Sequence, residues 1–281
     1  MILIADSGST KTSWYFSKGE NHSEYISTSG INPFFRTTED IIEELEKDLI
    51  PKIDSSNLDI YFYGAGIIND KKGEVVKLAL KQLFPSAKIE VKSDLLAAAR
   101  ATLGDKKGIA CILGTGSNSC LYDGREIVEH ISPLGFILGD EGSGAVLGRK
   151  LLGDYLKGIM PENLTVKFKN KFQISYSDFL DSVYKKERPN KFLAQLTPFL
   201  YENIDDVYCS KLVENAFDSF VGRNVKQYTD FAGLEINFIG SVAYYFKQQL
   251  QIVLNENKLK LGRIVKEPLQ GLAEFHQKNI A

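Results

Sequence analysis

One short pattern occurs twice in this chain. Ile4-Ala5-Asp6-Ser7-Gly8-Ser9 lies over Ile112-Leu113-Gly114-Thr115-Gly116-Ser117 at an offset of 108 residues. In each copy an apolar run enters a small loop of glycine and hydroxyl residues. A second β-forming run follows, Ser13-Trp14-Tyr15-Phe16 or Cys120-Leu121-Tyr122, and a turn closes it at Lys18-Gly19 or Asp123-Gly124. A shared Gly-Ser dipeptide arises easily by chance. The shared order of strand, loop, strand and turn does not, and it predicts an internal duplication. Two copies in 281 residues give domains of ordinary size.

The segments between and after the copies alternate helix and strand. Thr38 is placed to cap a helix whose Ile41, Ile42, Leu45 and Leu49 share a face, and Leu58 to Tyr63 reads as a strand entering Gly64-Ala65-Gly66. A helix through Val75 to Leu83 and the strand Ile89-Glu90-Val91 follow, and then a helix that Ser93 or Asp94 can cap. Beyond Gly142, helices are predicted near 143–158, 177–186, 190–203 and 206–230. Strands follow at Glu235 to Ile239 and Leu259 to Val265, with a helix to about Glu256 between them and a closing helix after Pro268. Mixed strands and helices predict an α/β fold. The expected division is 1–107, joined by the closing helix 268–281, and 108–267.

Composition narrows the partner. Hydrophobic residues make up 43% and charged residues 25%, with a net charge of −2, so no broad basic field favours nucleic acid or an anionic membrane. Asp6 interrupts the first apolar run, and no run approaches the ~20 residues that span a bilayer, so the expected location is the cytoplasm. Cys111, Cys120 and Cys209 are widely spaced with no CxxC, which reads as packing rather than a disulfide framework or a metal site. His22, His130 and His276 are scattered and read as surface or packing residues.

The familiar nucleotide motifs fail. A P-loop needs glycine before its lysine, where Thr10 precedes Lys11, and GxGxxG needs glycine at Ser119. What remains is two short loops whose backbone N–H groups and hydroxyls can hold polyphosphate, with Asp6 at a strand end suited to Mg²⁺ through water. Asp94 has two readings: a helix cap, or a general base that takes a proton from a substrate hydroxyl. The densest cluster is Pro133 to Ala145, in which Gly139-Asp140-Glu141-Gly142 precedes a helix. Carboxylates set among glycines in this way suit sugar hydroxyls or metal-bound water.

Five motifs together carry a resemblance. Asp6 to Thr12, Asp94 to Ala101, Leu113 to Asn118, Gly139 to Ser143 and Gly240 to Ala243 are similar, in order and approximate spacing, to the N-acetylglucosamine kinase-like (BadF/BadG/BcrA/BcrD-type) ATPases. That family lies in the superfamily of actin, Hsp70 and sugar kinases, and the resemblance covers nearly the whole chain. It implies two RNase H-like domains, each a five-stranded mixed sheet with helices, and ligands in a cleft between them. It implies that Asp6 faces Mg²⁺, that Gly8, Ser9, Thr10 and Lys11 with Gly114, Thr115, Gly116 and Ser117 hold the ATP phosphates, and that Gly240 and Ser241 meet the adenosine. Asp94 matches the base. Asn32, Thr115 and Asp140 match sugar contacts, with Gly139 and Glu141 in the same motif. The chain departs from the family at Ser7 and Ser9, where many relatives carry glycine, and at Phe136, where some carry tryptophan.

The function so implied is an ATP-dependent kinase of an amino sugar: N-acetylglucosamine, glucosamine or N-acetylmuramate. A homodimer is compatible with it. Two other classes stay open. One is an ATPase activator of a dehydratase or reductase, which needs closely spaced cysteine ligands that Cys111, Cys120 and Cys209 do not supply. The other is a non-catalytic sugar sensor, against which stand both Asp6 and Asp94.

Overall fold

Ile2–Ser7 (β1) is buried on both faces, as a strand must be when helices cover a sheet from either side. It pairs antiparallel with Lys11–Gly19 (β2), which pairs antiparallel with His22–Ser29 (β3). On its other edge it runs parallel to Asp59–Gly64 (β4), and β4 to Lys88–Ser93 (β5). The sheet order is therefore β3-β2-β1-β4-β5. The computed structural model describes residues 1–8, 10–19, 22–54 and 57–278. Chain contacts divide them into two units, Met1–Gly104 together with the segment from Pro268, and Asp105–Glu267.

Side-chain alternation assigns the two faces of the first sheet. Leu3 and Ala5 point into a core with Trp14, Phe62 and Ile41, closed by helices Thr38–Asp48 and Asp70–Leu83. Helices Asp94–Leu103 and Leu269–Lys278 pack against each other and against β1. Their approach is close: a Cβ on Gly271 would lie 2.4 Å from the Ala101 carbonyl oxygen, so only glycine fits there. A buried polar cluster fixes the closing helix. The Tyr63 hydroxyl bonds His276 Nε2 at 2.8 Å and accepts from Arg100 at 2.7 Å, while His276 stacks on Tyr61. Burial, helped by the Arg100 charge, pushes the His276 pKa down to about 4.

The second unit repeats the first. Gly108–Leu113 (β6), Ser117–Tyr122 (β7) and Ile127–Ile131 (β8) form an antiparallel meander, and Glu235–Ile239 (β9) and Lys260–Val265 (β10) run parallel to β6. The order β10-β9-β6-β7-β8, read from its other end, is that of the first sheet. The chain is thus two mixed five-stranded sheets flanked by helices. The equivalence is set by the strand ends Ser7 and Leu113, two residues short of the offset that the motif alignment gives. The shared glycine sits differently in the two loops: Gly8 is the first of the four residues between the paired Ser7 and Thr12, and Gly116 is the third of the three between Leu113 and Ser117.

Some elements depart from expectation. β3 and β8 are sheet-edge strands, and the helix Glu162–Phe172 was not foreseen. The expected helix 190–203 is two, Pro189–Ala194 and Thr197–Glu202, with Pro198 in the first turn of the second. No helix among the described residues is long and apolar enough to cross a membrane.

Candidate functional site

In the N-terminal unit the β1–β2 loop rests on a buried hydroxyl pair. Ser7 Oγ and Thr12 Oγ1 lie 2.7 Å apart, both inaccessible to solvent, because their residues face each other across the ladder. Thr12 donates to the Ser29 carbonyl at 2.9 Å, and the Ile31 N–H approaches both hydroxyls, at 3.0 Å to Ser7 and 3.2 Å to Thr12. Gly8 N–H donates to Lys11 O at 3.0 Å, so the loop closes on itself. Gly8, Thr10 and Lys11 are exposed at its tip, and Asp6, paired with Ser13 and Tyr63, is half-buried. Ser9 lies outside the described residues.

Asn32 follows directly from Ile31 and is almost fully buried. Its Oδ1 accepts the Phe34 N–H at 3.0 Å and lies over Gly66, where a Cβ would come within 2.4 Å of it. Gly66 has φ +83°, a second reason for glycine. The Ala65 N–H donates to the Ser7 carbonyl at 2.8 Å, which ties the turn after β4 to the end of β1.

Asp94 is the first residue of the helix that leaves β5, and the cap is Ser93, whose hydroxyl accepts the Leu96 N–H at 3.2 Å. The capping role therefore falls to Ser93. Burial pushes the Asp94 carboxyl up to about 6, outweighing the backbone N–H groups of Leu95 and Asp94 that favour its charge. Such a carboxylate is matched to proton transfer near neutral pH.

In the C-terminal unit, Gly114, Thr115 and Gly116 bridge β6 and β7. Two of their carbonyls are held by the start of helix Gly144–Leu156: Gly144 N–H donates to Gly114 O at 2.8 Å and Ala145 N–H to Thr115 O at 3.1 Å. Ser143 caps that helix through the Val146 N–H. Ser117 is buried, and its N–H is taken by Asp140 Oδ1 at 3.1 Å, so this group is not available to a phosphate in the present geometry. The Thr115 and Gly116 N–H groups have no partner among the described residues. Asp140 thus lies directly on the loop, and a Cβ on Gly116 would come within 3.1 Å of its carboxylate.

The backbone of the acidic motif is tightly specified. Gly139 sits where a Cβ would lie 2.1 Å from the Pro133 carbonyl oxygen, and Asp140, at φ +52°, donates its N–H to that same oxygen. Burial raises the Asp140 pKa; the Ser117 N–H opposes this and the neighbouring Glu141 charge adds to it. Glu141 itself is engaged by Arg223 and, at 3.5 Å, by Asn224. Among the residues expected to meet sugar in this motif, Asp140 is half-buried on the loop and Glu141 is held by a cation of its own unit.

Gly240 brings a further segment to the same loop. At φ +120° it packs so closely that a Cβ would lie 2.3 Å from the Leu113 carbonyl oxygen. Ser241 then starts a helix. Gly114, Thr115, Gly144 and Ser241 border a cavity of about 460 Å³ whose far walls include Gln195 and Tyr245. That volume suits a nucleoside. The Gln195 carboxamide makes no hydrogen bond among the described residues, whereas Thr197 is committed to the Gly144 carbonyl at 3.1 Å. Gln195 and Tyr245 were not legible in the sequence, because they belong to helical segments whose spacing reads as ordinary packing.

No protein-family model matches the sequence, and no curated protein does. Solved structures do. A provisionally named N-acetylglucosamine kinase from Porphyromonas gingivalis is 46% identical, with all of each chain covered and a TM-score of 0.94. A provisionally named N-acetylglucosamine kinase from Chromobacterium violaceum is 18% identical over 98% of each chain, with a TM-score of 0.74. A ROK family glucokinase from Streptomyces griseus, in complex with glucose and AMPPNP, shares the fold at 14% identity over 99% of each chain, with a TM-score of 0.56. With the repeated mixed sheets, the glycine-lined loops and full-length identity of 46% in hand, the chain belongs to the N-acetylglucosamine kinase-like family of sugar kinases, built on the actin-like ATPase fold.

Proposed function

We propose that this protein transfers the γ-phosphoryl group of ATP to a hydroxyl of an amino sugar, with N-acetylglucosamine the first acceptor to test. Asp94 is the observation that carries the reading. Its carboxyl is released from capping by Ser93 and raised to about 6, which suits it to accept a proton at neutral pH. In the reaction the acceptor oxygen forms a bond to the γ-phosphorus as its proton passes to Asp94, and the bond from that phosphorus to the β–γ bridging oxygen breaks to leave ADP.

The remaining roles follow from the same family reading. The cavity beside Gly240 and Ser241 receives the adenosine. Thr115 and Gly116, with the N–H of Ser117 once Asp140 gives it up, and Gly114 in the same turn, meet the phosphates, as do Gly8, Ser9, Thr10 and Lys11 of the first unit. Asn32, Thr115, Gly139, Asp140 and Glu141 serve the sugar. Asp6 is a fit for Mg²⁺, which keeps most of its waters and takes few protein carboxylates. Bound Mg²⁺ would neutralise phosphate charge. The reading as an ATPase activator of a dehydratase or reductase loses support, because Cys111, Cys120 and Cys209 are all buried and burial pushes each thiol up, to about 12 for Cys120 and Cys209.

The test is a panel. The protein is incubated with Mg-ATP and glucosamine, N-acetylglucosamine, N-acetylmannosamine or N-acetylmuramate, ADP release is followed, and the phosphate is mapped by ³¹P and ¹H NMR. Sugar-stimulated ADP release with a phosphorylated sugar is expected. ADP release that no amino sugar stimulates would refute the reading.

A further inference from the structure

The phosphate loop and the acceptor segment of the N-terminal unit are joined by the buried hydroxyls of Ser7 and Thr12. The proton count shows how. Two hydroxyl protons are available for three oxygen contacts: Ser7 to Thr12 at 2.7 Å, Thr12 to the Ser29 carbonyl at 2.9 Å, and Ser7 to the Ile31 carbonyl at 3.0 Å. Thr12 donates to the Ser29 carbonyl, and the Ser7 proton has both the Thr12 hydroxyl and the Ile31 carbonyl as acceptors. The Ile31 N–H then donates to Ser7 at 3.0 Å, with Thr12 as a second acceptor at 3.2 Å. Every proton in this water-excluded cluster has a partner, which makes its geometry stiff.

What it holds is the residue before Asn32. Contacts on the Asn32 side chain and on the residue before it hold this segment. Ile31 is anchored on Ser7 and Thr12, Oδ1 accepts the Phe34 N–H, and the carboxamide rests on Gly66, whose turn is itself tied to the Ser7 carbonyl through Ala65. Ser7 therefore bonds to both segments that fix Asn32, through its hydroxyl on one side and its carbonyl on the other. Neither Ser7 nor Thr12 reaches solvent, so neither touches a ligand.

We propose that Ser7 and Thr12 are positioning residues that set the acceptor affinity of this kinase by holding Asn32. The proposal rests on the reading that Asn32 contacts the sugar. It assigns to Ser7 a task that a glycine at this position could not perform, since glycine has no hydroxyl to offer Ile31.

The experiment compares wild type with Ser7→Ala, Thr12→Val and Thr12→Ser, by calorimetric titration with N-acetylglucosamine and with Mg-ATP and by steady-state kinetics. Ser7→Ala leaves the Ile31 N–H its bond to Thr12, so the variant keeps a tether and should fold. The expected result is a rise of about tenfold in the sugar Kd and KM for Ser7→Ala and Thr12→Val, the size of a lost buried hydrogen bond. The Kd for Mg-ATP should stay within about twofold, and Thr12→Ser, which keeps the hydroxyl, should stay near wild type. Amide exchange at Ile31 and Asn32 should quicken in Ser7→Ala. Wild type that binds the sugar and a Ser7→Ala variant that binds it equally well would overturn the coupling alone. Equal losses for sugar and ATP would overturn it too, by showing a general structural defect. Wild type that binds no amino sugar in the panel would overturn both this proposal and the function it rests on.

Discussion

Replacing Asp94 by Asn should make the protein more stable and almost inactive at once. The carboxyl is raised from 3.8 to about 6 chiefly because burial penalises its charge. Each pKa unit is worth about 1.4 kcal/mol, and Asp94 keeps part of its surface, so the ionised side chain costs the fold about 1–3 kcal/mol. The sign follows from proton binding. Between about pH 4 and 6 the folded protein binds more protons at this position than the unfolded chain, so stability falls as pH rises through that window. Asn carries no charge and keeps an oxygen to accept the Leu95 N–H. The variant should match wild type at pH 4 and exceed it by about 1–3 kcal/mol at pH 7.5 in urea denaturation, while turnover drops at least ~10²-fold. Wild-type kcat/KM should itself decline below about pH 6 as the base becomes protonated. Full activity in Asp94→Asn would remove the base from this position. A variant destabilised at neutral pH would show that the carboxylate is held by stronger contacts than the two backbone groups identified.

Two further outcomes test other parts of the molecule. Gly240→Ala places a methyl group 2.3 Å from the Leu113 carbonyl oxygen at φ +120°. It should cost about 1–3 kcal/mol of stability and raise the KM for ATP more than that for sugar, which kinetics with each substrate varied in turn would read. His276→Gln should flatten the acid side of the stability curve. His276 titrates near 4 when folded and near 6.5 when unfolded, so it contributes up to ~3 kcal/mol that is present above pH 6.5 and lost as pH falls toward 4. This slope opposes that of Asp94, and chemical denaturation of the two variants across pH 4–7.5 should separate them.

What the sequence revealed follows from what each element buries. β1, β4 and β6 are central strands covered on both faces, and their continuous apolar runs were legible, as were the glycine-rich loops at the ends of β1 and β6. β3 was not, because only Ile26 and Thr28 turn toward the core and the rest of the strand is exposed, too short an alternation to read. β8 gives only a weak half-buried pattern over five residues. At the site, Asp94 was recognisable as a helix-start carboxylate, but only coordinates show that Ser93 takes the cap and leaves Asp94 for other work. In the sequence Ser7 reads only as a departure from the glycine that many relatives carry. Its hydroxyl is instead enclosed with that of Thr12, a relation set by antiparallel register that no local pattern encodes. The same holds for Asp140, which reaches the Ser117 N–H across twenty-three positions of chain.

The discontinuous make-up of the N-terminal unit bears on how the chain is made. Residues 105–267 form their unit from one unbroken stretch, whereas the first unit lacks one of its covering helices until Leu269–Lys278 has been synthesised. At the usual pace of a ribosome, roughly 5–20 residues per second, that delay is on the order of ten seconds or more. During that interval the surfaces of β1 and of helix Asp94–Leu103 that later meet the closing helix are bare, and Tyr63 lacks His276. The later-made unit can therefore complete its fold before the earlier one, reversing the customary N-to-C order. The nascent chain should be most vulnerable to proteases and most dependent on chaperones between the emergence of β1 and the arrival of the closing helix.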